Sequence, residues 1–154
     1  MGNGKIALIK GLEEIGTVSC LNLVKSLELI STEPISFHLR NSNLIPEDTA
    51  ILSRSFEALQ DHKDVIISSI SLSFNPQIGD YGISQLLKSF PCGLRELGLV
   101  GCELTDVAGQ DLLLWLHSNK QLRLLCIEGN HFSKKLTQNF HAYAEQCKDL
   151  YLEI

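Results

Sequence analysis

The stretch LRELGLVGCELTDVAGQDLLLWL, residues 94–116, decides how the chain is built. In its first half Leu97 and Leu99 alternate with Glu96 and Gly98, the period of two that gives a strand one buried and one open face. In its second half the period changes. Ala108, Leu112, Leu113 and Leu116 stand at i, i+4, i+5 and i+8, an apolar stripe along one side of a helix expected from Asp106 to Ser118. One strand and one helix cannot enclose a core by themselves, so neighbouring units must share one.

The unit recurs. Leu94, Leu97, Leu99, Cys102 and Leu104 return as Leu122, Leu125, Ile127, Asn130 and Phe132, each 28 positions later (122 − 94 = 28). A step of 27 in the other direction (94 − 67 = 27) reaches Ile67, Ile70, Leu72 and Asn75 and carries Gly109 to Gly82. Pro76 marks a one-residue insertion in that copy. A weaker copy lies 33 residues earlier, with Phe37, Leu39 and Ser42 in the places of Ile70, Leu72 and Asn75, and Pro34 where the first apolar residue would be. The turn after each strand leaves backbone groups that an Asn side chain can satisfy from both its donor and acceptor atoms, a role that fits Asn75 and Asn130. Cys102 is a weaker substitute. Further helices are expected over Gly79–Phe90, stopped by Pro91, over Lys134–Cys147, and from Glu47 to about His62 behind Pro46.

Written LxxLxLxx(N/C)xL, these segments resemble the leucine-rich repeat family. The 28-residue period and CELTDVAGQDLLLWL are similar to its ribonuclease-inhibitor-like subtype. The resemblance is strongest over residues 67–148, extends back to 34 and is absent before that. It implies an α/β leucine-rich-repeat solenoid: a short arc with parallel strands on the concave face and helices on the convex face, residues 34–154 forming about four repeats. Residues 1–33 read as an N-terminal helical cap of two helices divided near Gly16 and Thr17, with Leu8, Ile9, Leu12 and Ile15 on one apolar face and Leu23, Val24, Leu27 and Ile30 on the other. The alternative takes Ile6–Leu8 as a degenerate strand opening a fifth repeat. At the other end Leu150, Leu152 and Ile154 alternate with Tyr151 and Glu153, a final strand whose free edge would invite self-association.

Composition agrees with one aliphatic core. The 154 residues include 27 leucines but only 6% aromatics, and the length suits a single domain. The net charge of −5 and the scattered Lys and Arg offer no field for a nucleic acid. No run approaches the ~18 apolar residues of a membrane span, so no membrane is expected as a partner. Five cysteines at uneven spacing, and no Asn-x-Ser/Thr sequon, suit a reducing cytoplasmic setting.

Signatures of chemistry are missing. The five histidines, His38, His62, His117, His131 and His141, lack Cys or carboxylate companions at ligand spacing, so neither metal nor cofactor is expected. Nucleophile motifs do not occur, and no catalytic residue is assigned. Gly2–Lys5, GNGK, lacks the strand and spacing of a phosphate loop and reads as a flexible start. What remains is the open strand face: Ser36, His38 and Arg40; Ser69, Ser71 and Ser73; Glu96, Gly98 and Val100; Leu124, Cys126 and Glu128. Cys126 there is either a small residue filling the ladder or an accessible thiol open to redox or adduct chemistry. The middle row His38, Ser71, Gly98, Cys126 is small at its centre and so describes a shallow groove, with an apolar spot at Val100 and Leu124 beside Glu96 and Glu128. An apolar centre and a charged rim describe a modest protein interface.

Proteins of the resembled family serve mostly as scaffolds, sensors or bacterial effectors. The resemblance therefore implies a non-catalytic protein–protein interaction module, in the host cytosol if it is an effector. Ran-type GTPase activators share the subtype. The alternative is thus a regulator of a small GTPase, for which Arg40 is the only arginine expected on the strand face. An enzyme in its own right ranks below both.

Overall fold

The computed structural model describes residues 1–30 and 34–154. Among these, six helices and five strands follow one another as α1 (Asn3–Ile15), α2 (Val18–Leu29), β1 (Ile35–His38), α3 (Pro46–Leu59), β2 (Ile67–Ser71), α4 (Gly79–Leu87), β3 (Glu96–Gly98), α5 (Asp106–His117), β4 (Leu124–Cys126), α6 (Lys134–Gln146) and β5 (Tyr151–Glu153). The strands form one all-parallel sheet in chain order, so each strand is hydrogen-bonded to the next one in sequence. The helices pack as a second layer in the order α1, α3, α4, α5, α6. Two layers meeting on one apolar slab make an α/β fold with a repeating strand–helix arrangement.

The alternation read from residues 94–99 sets the register. Phe37, Ile70, Leu97, Leu125 and Leu152 are partners across the five strands, and all but Leu152 are buried. Leu39, Leu72, Leu99 and Ile127 form the next layer, each wholly buried. Aromatic rings bridge helices and sheet in a chain: Phe37 meets Phe56 at 5.2 Å between centroids, Phe56 meets Phe90 at 6.0 Å, and Phe90 meets Trp115 at 6.0 Å. Gly82 and Gly109, aligned by the repeat, let the helices approach their neighbours. A Cβ at Gly109 would run into Leu136 and Phe132, and one at Gly82 into Ile78 and Thr49.

Each turn after a strand is clasped from the following unit. Asn75 Oδ1 accepts from the Ser42 and Leu44 N–H groups at 3.0 and 3.1 Å, while its Nδ2 donates to the Leu39 and Leu72 carbonyls at 2.8 Å. Asn130 does the same two steps further, accepting from Cys102 and Leu104 at 3.0 Å and donating to Leu99 and Ile127 at 2.9 and 3.0 Å. Cys102, in the equivalent place between them, offers only its thiol, to the Leu72 carbonyl at 3.2 Å. Burial pushes that thiol up to about 11, so it stays protonated. Helix starts are tied in the same stepwise way. Asp80 in the first turn of α4 accepts from the N–H of Thr105, the N-cap of α5, at 2.8 Å; Asp106 in the first turn of α5 accepts from that of Ser133, the N-cap of α6, at 2.7 Å.

Several expectations are corrected. The alternative strand at Ile6–Leu8 is ruled out, because those residues lie inside α1, whose Leu8, Ile9 and Leu12 are buried and which packs on α3. Two helices precede β1, divided at Gly16 (φ 71°) and Thr17, as the two-helix reading has it. Residues 31–33, the end of the expected cap, lie outside the described residues. Gly2–Lys5 is no flexible start: α1 begins at Asn3, and the Gly4 and Lys5 N–H groups donate to the Asp64 carboxylate at 3.1 and 3.2 Å. Helix α4 ends at Leu87, three residues before Phe90, where buried Ser89 bonds the Leu86 carbonyl and Ser53 Oγ, both at 3.1 Å. Helix α3 runs from Pro46 to Leu59, short of His62, because Gln60 and His62 turn back onto Glu57 and Leu59. No helix among the described residues is long and apolar enough to cross a membrane.

Candidate functional site

The face of the sheet away from the helices carries three rows of side chains. The first is Ser36, Ser69, Glu96, Leu124 and Tyr151; the second is His38, Ser71, Gly98, Cys126 and Glu153. Beyond the strand ends the ladder continues through Asn41 to Ser73, Phe74 to Val100 and Gly101 to Glu128, which aligns Arg40, Ser73, Val100 and Glu128 as a third row. Eleven of the twelve residues expected on this face, His38, Arg40, Ser69, Ser71, Ser73, Glu96, Gly98, Val100, Leu124, Cys126 and Glu128, line one groove of about 520 Å³. Ile70, Phe74, Leu97 and Glu153 complete its lining. Ser36 does not reach it.

The centre of the groove is made of small residues held by one another. Ser73 Oγ accepts from the Val100 N–H at 3.0 Å and from the Ser71 hydroxyl at 3.4 Å, and Ser69 Oγ lies 2.8 Å from His38 Nε2. These neighbours cover Ser69 and Ser73 to 6% and 4% exposure, so both shape the floor and are shielded from direct contact. Gly98 keeps the floor open: a Cβ there would come within 3.1 Å of Ser71 Oγ and 3.2 Å of Ser73 Oγ. Val100 and Leu124 stand half-buried beside it.

Charge is divided along the groove. At the β1 end the Arg40 guanidinium lies over the Phe74 ring, 5.1 Å from its centroid. At the other end Glu96, Glu128 and Glu153 surround Cys126. Burial first, and then Glu153, Glu128 and Glu96, push the Cys126 thiol up to about 11. Since the thiolate is the nucleophile, this setting disfavours redox or adduct chemistry at Cys126. A hydrogen bond shared with the Glu153 carboxyl, slight desolvation and repulsion between the two raise Glu128 above its ordinary value.

Phe74 and Glu153 are the lining residues that sequence reasoning missed. The alternation of Leu150, Leu152 and Ile154 already placed Glu153 outward, but only the parallel register of β5 on β4 sets it beside Cys126. Phe74 aligns with Gly101 and Gly129, a register that foretold an unusual backbone there.

Elsewhere the chemistry is self-contained. His131 pairs with Glu103 at 2.8 Å, His117 meets the Tyr143 ring edge-on at 4.6 Å, and among the described residues no three His, Cys, Asp or Glu side chains converge as metal ligands. The N-terminus of α1, where a phosphate-loop reading would seat an anion, already holds the Asp64 carboxylate. A smaller cleft of about 320 Å³ lies where α5 and α6 end, lined by His117, Lys120, Arg123 and Lys148 among others. Arg123 there donates to the Lys120 and Gln121 carbonyls of the loop between α5 and β4 at 3.2 and 3.0 Å. No protein-family model matches the chain, and no curated protein matches it.

Proposed function

We propose that the chain is a leucine-rich-repeat module of the ribonuclease-inhibitor-like subtype, a short solenoid that binds a protein partner through its strand face and performs no catalysis of its own. The repeat reading draws support from the paired asparagine clasps at Asn75 and Asn130 and from the strand–helix units stacked in chain order. One observation carries the binding reading: of twelve residues chosen by alternation alone, all but Ser36 line a single groove with a small-residue floor, two half-buried apolar residues and a charged rim. That composition suits the centre and rim of a modest protein interface. The five free cysteines, two of them buried, suit a reducing cytoplasmic compartment, the host cytosol if the chain is a bacterial effector.

Affinity capture with the parent chain and with Val100→Asp and Leu124→Asp tests the reading. A carboxylate at either half-buried position would be desolvated under a partner, so a specific partner should be lost from both variants while their unfolding midpoints stay close to the parent's. A partner retained by both variants, or no partner dependent on this face, overturns the reading.

A further inference from the structure

The groove is electrically lopsided. Arg40 stands on β1's end of the third row and Glu128 on β4's, three strand spacings away, with Glu153 one strand further in the neighbouring row. At ~4.8 Å per spacing that is about 14 Å between the backbone positions that carry the cation and the first carboxylate. The ion pairs formed among the described residues are Arg54–Glu14 and His131–Glu103, so among those residues neither Arg40 nor Glu96, Glu128 or Glu153 has a counter-ion.

A second observation lies at the positive end. Asn41, Phe74, Gly101 and Gly129 hold the same place after four successive strands, all with left-handed backbone: φ 48°, 61°, 61° and 68°. Three of them are Asn or Gly, the residues that adopt this conformation readily. The fourth is a bulky aromatic, 44% exposed, whose ring lies against Gly101 on one side and under the Arg40 guanidinium on the other. Its backbone is strained at the rim of the groove, and residues held in sparsely populated backbone regions cluster at binding sites.

The geometry points to a bipolar occupant: a protein segment with an acidic residue that meets Arg40 beside Phe74, a basic residue about 14 Å away that meets Glu128 and Glu153, and small apolar residues between them over Gly98. This inference rests on the strand-face reading above and names the chemistry of its partner. A segment fits better than a second copy of the chain, because the groove is recessed and the same recess on a second copy cannot fill it. Phe74 supplies an apolar anchor next to an exposed guanidinium, and aromatic and arginine side chains are the ones enriched at the energetic centres of interfaces. Across ~14 Å, a helix rising 1.5 Å per residue places the two charges about nine or ten residues apart.

The probe is a displayed library of random sixteen-residue peptides selected on the intact chain, followed by affinity measurement of the enriched peptides. Enriched peptides should carry one acidic and one basic residue at that separation. Arg40→Glu and Glu128→Arg should each weaken them at least tenfold. Arg40→Glu combined with Glu128→Arg should restore binding, since the peptide can turn round. Phe74→Asn should fold like the parent and bind at least tenfold more weakly. No enrichment, peptides without the charge pair, or failure of the double reversal to rescue overturns the inference. So does a dimer, seen by sedimentation, that both single reversals dissolve and the double reversal restores, because the occupant is then a second copy. If binding is lost in Leu124→Asp but ignores charge reversal, the bipolar inference fails and the strand-face reading stands. Binding indifferent to Leu124→Asp ends both.

Discussion

At the scale of single residues, the buried amide of Asn75 shows most plainly why the chain tolerates polar groups inside its slab. An amide has two acceptor sites and two donors, and Asn75 fills them with the Ser42 and Leu44 N–H groups and the Leu39 and Leu72 carbonyls. Removing it orphans three backbone groups where water does not reach, each worth about 1–3 kcal/mol if left unpaired, and leaves the Leu72 carbonyl only the Cys102 thiol. Partial relaxation reduces that sum, so Asn75→Ala should cost about 3 kcal/mol or more in urea unfolding. Asn130, half-exposed and making the same bonds, should cost less because solvent can take its place. Equal losses at the two positions would show that burial is not what makes the clasp expensive to break. The role of Asn75 was legible from its place after a strand. The left-handed backbone of Phe74 was not read, since an aromatic residue gives no local sign of positive φ and only its alignment with Gly101 and Gly129 does.

Among elements, α1 shows how far apart in sequence the causes of a helix start can lie. Its N-cap, Gly2, has no side chain to receive the first free N–H groups, and Asp64, sixty residues on, accepts those of Gly4 and Lys5. Nothing in residues 1–5 signals this, which is why GNGK reads as loose from sequence while the structure docks it. The carboxylate does the work of a cap from a distance. Slight desolvation works to raise its pKa, but the Lys5 and Gly4 N–H bonds prevail and hold it below the ordinary 3.8. A group depressed on folding stabilises the native state above its unfolded pKa, and that stability fades as pH falls through the folded value. Asp64→Ala should therefore lower stability at neutral pH by about 1 kcal/mol or somewhat less, since Asp64 is exposed and screened. The gap between parent and variant should close as pH falls below about 3.8. A pH-independent difference would mean that shape, not charge, ties α1 to the loop before β2.

For the whole molecule, the period-two reading of residues 94–99 extends through every strand because parallel register carries one inward position onto the next: Phe37 to Ile70, Leu97, Leu125 and Leu152. This is why the faces of the sheet were legible from one chain, whereas shielding of Ser69 and Ser73 was not. Burial of an outward serine depends on a neighbour's side chain, here His38 and Val100's backbone, rather than on its own alternation. A slab shared by adjacent units also grades the energetics, since an inner residue is enclosed from both sides and a residue of the edge strand from one. Leu99 is wholly buried between its counterparts Leu72 and Ile127, while Leu152 is half-buried on β5, paired only with β4. Leu99→Ala should then cost about 2–5 kcal/mol, the range for a large aliphatic truncated inside a packed core. Leu152→Ala should cost about 1 kcal/mol, in proportion to the smaller area it removes from water. Chemical unfolding of the two variants beside the parent reads both values. Similar costs at the two sites would show that the strands do not share one core, and a neutral Leu99→Ala would mean that the face toward the helices is not where this chain keeps its stability.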